Sequence, residues 1–121
     1  VLIISDLTIS LKKEDIMAFK TVFIAHAPDA VPDKHHNLID TGRYRLHTYV
    51  VRTQEEALKV CSDLYAKEKI DSVLLCPGFT HQDVAEIFKA LGDKVAVSVS
   101  RGDGPSSKIT GPVLQREFYG S

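Results

Sequence analysis

A chain of 121 residues fits one domain that is large enough for a core yet small enough to gain from assembly. Its 15 lysines and arginines against 16 aspartates and glutamates leave a net charge of −1, which excludes the basic footprint of a nucleic-acid binder and the acidic bias of a disordered tail. Cys61 and Cys76 form neither a disulfide scaffold nor a zinc spacing, so we expect a reducing, cytoplasmic compartment and no metal.

Residues 1 to 16 differ in character from the rest of the chain. Val1-Leu-Ile-Ile4 is too short to span a membrane and has no basic flank or cleavage site, so no membrane association is expected. Lys12-Lys-Glu-Asp-Ile16 ahead of Met17 is what a translated purine-rich ribosome-binding sequence would spell, so we expect the natural start at Met17. The chain then divides into an N-terminal extension, 1–16, and a single α/β domain, 17–121. If the extension is ordered, an added or exchanged edge strand is the expected form.

Lys20-Thr-Val-Phe-Ile-Ala25 reads as a central strand leaving at His26-Ala-Pro-Asp29. Pro32, Asp33 and Lys34 predict a short helix through Ile39, stopped by Thr41-Gly42. Arg43 to Arg52 alternates as a half-exposed strand near an edge. Thr53 and Glu56 then form a capping box for a helix whose apolar stripe is Ala57, Val60, Cys61 and Leu64. Asp71 to Leu75 is a third strand. It runs into Cys76-Pro-Gly-Phe-Thr-His81, which cannot continue a central strand. Thr80 and Asp83 cap the next helix, carried by Val84, Ile87, Phe88 and Leu91 and stopped by Gly92. Lys94 to Ser100 is the fourth strand, apolar on both faces, and Arg101 to Ser107 its exit loop. In the tail, Gly111-Pro112 should break or restart any helix.

This alternation predicts a small three-layer sandwich: a mainly parallel four-stranded sheet of flavodoxin-like order 2-1-3-4, flanked by helices through right-handed crossovers. A ferredoxin-like α+β sandwich is the alternative. In the parallel form, ligands bind beyond the carboxyl ends of the strands at the switch between the first and third.

Three phrases carry a resemblance: Phe23-Ile-Ala-His-Ala-Pro-Asp29, Asp71 through Glu86, and Val97 through Ser107. Over roughly residues 17–109 the chain resembles a family of small bacterial proteins catalogued only as a domain of unknown function. The resemblance implies a start near Met17 and brings no activity, cofactor or catalytic residue.

The chemistry therefore has to be read from the loops. Cys76 ends a strand ahead of a helix N-terminus, a setting that favours a thiolate, with His81 or His26 as candidate base. Arg101, Gly102, Asp103, Gly104, Ser106 and Ser107 can turn successive N–H groups, hydroxyls and a guanidinium toward an anion, but match neither a Walker loop nor a dinucleotide fingerprint. Asp29, Gly78 and Thr80 complete the candidate ligand-binding set.

We expect a small, anionic metabolite bound by these three loops. The alternatives are a cysteine-dependent enzyme of isomerase, acyl-transfer or hydrolase type, and a structural oligomer subunit. A homo-oligomer is expected in each case, while the cofactor is left open.

Overall fold

A computed structural model describes residues 17–120 of the chain; the expectations for the N-terminal extension lie outside the described residues. Five strands, β1 (Phe19–His26), β2 (His36–Asp40), β3 (Tyr44–Val51), β4 (Ser72–Leu75) and β5 (Ala96–Val99), form one sheet in the order β2-β3-β1-β4-β5. Helix α1 (Gln54–Glu68) joins β3 to β4 and α2 (His81–Ala90) joins β4 to β5. After β5 come a 3-10 turn (Gly104–Ser106), α3 (Ser107–Leu114) and a π-helical turn (Gln115–Tyr119). None of the described helices is long and apolar enough to cross a membrane.

Both main helices start where their capping residues stand. Thr53 accepts a hydrogen bond from the Glu56 N–H at 3.1 Å. The Glu56 carboxylate reaches back one residue further than a capping box requires, taking the Arg52 N–H at 2.7 Å. At α2 the box closes fully, with Thr80 Oγ1 accepting from Asp83 N and Asp83 Oδ2 from Thr80 N, both at 3.0 Å. Lys69, in the left-handed region at φ 57°, ends α1 with its N–H on Tyr65 O.

The parallel pairings place Val22 beside His47 and Val73, and Ile24 beside Tyr49 and Leu75. These side chains face Ala57, Val60, Cys61 and Leu64 of α1 and Ile87 of α2, making one core in which Val22, Ile24, Val73, Leu75 and Ile87 are wholly buried. At the opposite end of the strands Glu68 gathers a polar cluster. Arg45 Nε lies 3.0 Å from Glu68 Oε1 and His47 Nε2 3.0 Å from Glu68 Oε2, the latter an ion-pair distance without hydrogen-bond alignment.

The structure corrects the predicted architecture in two respects. Residues 36–40 are a strand, so the sheet has five strands rather than four; the extra strand takes the edge outside β3, and the four expected strands follow it as β3-β1-β4-β5. The helical signal at Pro32 is spent on a single turn, in which the Lys34 and His35 N–H groups both bond to Val31 O and His35 Nδ1 takes the Val31 N–H. From His36 the chain pairs antiparallel with β3, where it supplies partners for an otherwise bare edge. Thr41-Gly42, read as a helix stop, is the hairpin turn, with Gly42 at φ 98° and its N–H on Asp40 Oδ1. The ferredoxin-like alternative also falls, because β1, β3, β4 and β5 are mutually parallel.

The second correction concerns the layers. The steps from β3 to β4 and from β4 to β5 advance the same way across the sheet, so right-handed crossovers put α1 and α2 on one face, touching each other and the sheet. The link from β1 to β3, which would carry a helix onto the other face, contains β2 instead. Among the described residues the fold is two layers. In the tail, Pro112 sits inside α3; it forgoes one backbone hydrogen bond in a segment exposed except at the half-buried Gly111, so water can take the freed carbonyl.

Candidate functional site

The parallel strands all deliver their C-terminal ends to one edge. There the ladder runs slightly past the strands: Ala27 N donates to Val51 O at 3.0 Å, Cys76 N to Ile24 O at 3.0 Å and Ser100 N to Leu75 O at 2.7 Å. These rungs hold the exits of β1, β4 and β5 side by side around a cavity of about 1150 Å³.

At its floor, Cys76 Sγ lies 3.8 Å from His26 Nδ1, within reach for a sulfur hydrogen bond. His26 is stacked on Phe79, ring centroids 4.0 Å apart at 27°. Phe79 is itself buried and turned back by its N–H on Cys76 O, so the imidazole is fixed between a thiol and a core aromatic ring. Burial pushes the His26 imidazole below its ordinary value, opposed by the Asp83 carboxylate. The neutral ring is thereby favoured, and it can accept the thiol proton or donate to the sulfur according to its tautomer.

Two glycines make room here. A Cβ on Gly78 would stand 3.4 Å from His26 Nδ1 and 3.5 Å from Cys76 Sγ, while one on Gly102 would stand 3.2 Å from the Pro77 ring. The Cys76 and Arg101 loops therefore touch, with Gly102 laid on Pro77.

The cavity brings together many of the expected residues: His26, Cys76, Gly78, Arg101, Gly102, Asp103, Gly104, Ser106 and Ser107 all line it. Three do not. His81 opens α2 as an exposed side chain away from the cavity, Thr80 is committed to its cap, and Asp29 lies exposed past Pro28. Arg101, 88% exposed, is paired at 2.6 Å with Asp103, and Ser107 Oγ donates to Gly104 O.

The sequence reading missed Arg52 and the far wall. Arg52 follows β3 directly, is half exposed, and is held only loosely, 3.8 Å from Glu56. The signal was its position, one residue past the end of a parallel strand. Leu114, Phe118 and Tyr119 supply an apolar wall from the tail. Among the described residues no group of three or more histidine, cysteine, aspartate or glutamate side chains is placed to hold a metal ion.

A model for a family of unknown function, DUF6506, matches residues 19–110. The chain belongs to this family. The DUF6506 match begins at the first residue of β1 and ends within α3, so it takes in all five strands and the three loops of the cavity. Comparison with curated proteins and with solved structures gives no match.

Proposed function

We propose that this DUF6506 chain binds a small metabolite carrying a carboxylate or phosphate group in the cavity at the carboxyl edge of its sheet. The observation that carries this reading is the meeting of the His26, Cys76 and Arg101 loops around one cavity that Arg52 and Arg101 both line. Two guanidiniums suit an anionic head group, because each offers a planar fork of donors. The cavity exceeds what a bare anion fills, and Leu114, Phe118 and Tyr119 offer an apolar surface to the remainder of the ligand.

Calorimetric titration with inorganic phosphate and with butyrate tests it. Butyrate should bind the more tightly, and Arg52→Ala and Arg101→Ala should each weaken it about tenfold, the usual value of a hydrogen bond to a charged group. No binding of either probe, or binding indifferent to both substitutions, refutes the reading.

The 3.8 Å contact between Cys76 and His26 favours a second reading, a cysteine nucleophile with His26 as its base. In that chemistry His26 Nδ1 takes the thiol proton as sulfur adds to a carbonyl carbon of the bound ligand, the carbonyl π pair moving onto its oxygen. Iodoacetamide alkylation of Cys76 against pH measures this. A thiolate appearing well below the usual value of about 8.5, slowed by His26→Ala and by added phosphate, supports the enzyme. A rate that His26→Ala leaves unchanged makes Cys76 a packing residue.

A further inference from the structure

The face of the sheet turned away from α1 and α2 takes the odd-numbered residues of β1 and β2 and the even-numbered residues of β3, β4 and β5. None of them is charged. Phe19, Phe23, Ile39, Leu46, Val50 and Leu74 are among them, and Phe19 stacks on Tyr44 at 5.4 Å. Every charged strand residue, including Lys20, Asp40 and Arg45, belongs to the opposite face, with the helices.

This inverts what a solvated face requires, since sheets with one wet side alternate apolar-in with polar-out, while parallel sheets are normally covered on both sides. No described helix packs on this surface, yet Phe23, Leu46, Val50 and Leu74 are only half-buried and Ile39 is 54% exposed.

We propose that this charge-free sheet face is the contact surface of a homodimer, two copies packed sheet to sheet about a twofold axis. A charge-free surface has nothing with which to select a partner of opposite sign, but it is complementary to itself, and charge depletion marks the centres of homodimer interfaces. The extent also fits. Five strands of the observed lengths, spaced about 4.8 Å apart with a rise of about 3.3 Å per residue, cover roughly 24 by 19 Å. Two such faces bury on the order of 1,000 Å², the lower bound for a specific protein interface. Each copy then supplies a covering layer for the face on which no described helix of the other packs, giving helices outside and two sheets within. Ala25 belongs both to this face and to the cavity lining, so the interface borders the cavity mouth.

The test is light scattering on the full chain from about 1 to about 200 µM, a range that spans weak to moderate dimers. The expected mass is twice 13.4 kDa. Thr48→Arg combined with Ser72→Arg, at polar half-buried positions on β3 and β4, should return it to 13.4 kDa with the circular dichroism unchanged. On the unsubstituted chain, oxidative footprinting should show Phe23, Tyr44 and Leu46 increasingly protected with concentration. A full chain that stays at 13.4 kDa throughout, a doubly substituted chain that folds and remains dimeric, or protection that does not change with concentration overturns the proposal.

Discussion

Replacing Glu68 by glutamine should destabilise the fold by about 2 kcal/mol at neutral pH, and the loss should vanish in acid. Glu68 closes α1 at the amino end of the sheet, between Arg45 and His47, with its side chain 18% exposed and that of Arg45 23%. Such a pair lies between an exposed bridge, worth about 0–1 kcal/mol, and a buried one, whose disruption costs about 3–5 kcal/mol. Burial pushes the Glu68 carboxyl upward, but the hydrogen bonds from Arg45, with the Arg45 charge and the His47 imidazole beside it, outweigh it and hold it below the ordinary glutamate value. A carboxyl depressed in the folded state stabilises above its unfolded value of about 4.3, and that contribution disappears as pH falls through the folded value. Urea unfolding of both chains at pH 7 and pH 3 reads the difference directly. At neutral pH the substitution should lower Tm by roughly 8 °C for a domain of this size. A difference under about 0.5 kcal/mol at pH 7, or one undiminished at pH 3, would refute the assignment of Glu68 as an ionised anchor.

Two further outcomes concern the cysteines. Cys61 is buried in the α1 stripe and its thiol is pushed up to about 12 by burial. A disulfide reagent should therefore titrate one thiol in the native chain, Cys76, and two in denaturant; two in the native state would contradict the packing of α1. Gly78→Ala places a methyl against both His26 and Cys76 without demanding an unusual backbone angle. It should leave Tm within a few degrees while slowing Cys76 alkylation severalfold, and equal rates would mean that the thiol is approached from another side.

Local signals made some of the fold legible. Thr53 and Thr80 with the stripes behind them located α1 and α2, and β-branched runs bounded by glycine and proline located the parallel strands. The strand at His36–Asp40 escaped because five residues beside a proline-opened turn carry no period of their own, and their pairing depends on the bare edge of β3. The side on which the helices lie was hidden for a related reason: it follows from strand order and crossover hand together, and no single segment records it.

At the candidate site, sequence proximity misled. His81 is five residues from Cys76 and turns away with α2, whereas His26, fifty residues distant, is the imidazole beside the sulfur. Arg52 escaped notice as a strand-end residue whose place becomes apparent only when the carboxyl edge is assembled.

The ladder rungs beyond the strand ends bear on how any occupant of the cavity would be recognised. His26 is followed by a backbone bond to β3, Cys76 is bonded to β1, and Phe79 backs the imidazole, so the separation of sulfur and nitrogen is set by sheet geometry. That floor is preorganised, and an occupant loses no affinity in ordering it. Arg101 is the opposite case, an exposed guanidinium already engaged by Asp103, which must exchange that partner for an anion and give up side-chain freedom to do so. Substitutions in the Arg101 loop should therefore tune how tightly a ligand is held, while the spacing beneath it stays fixed as long as the sheet is intact.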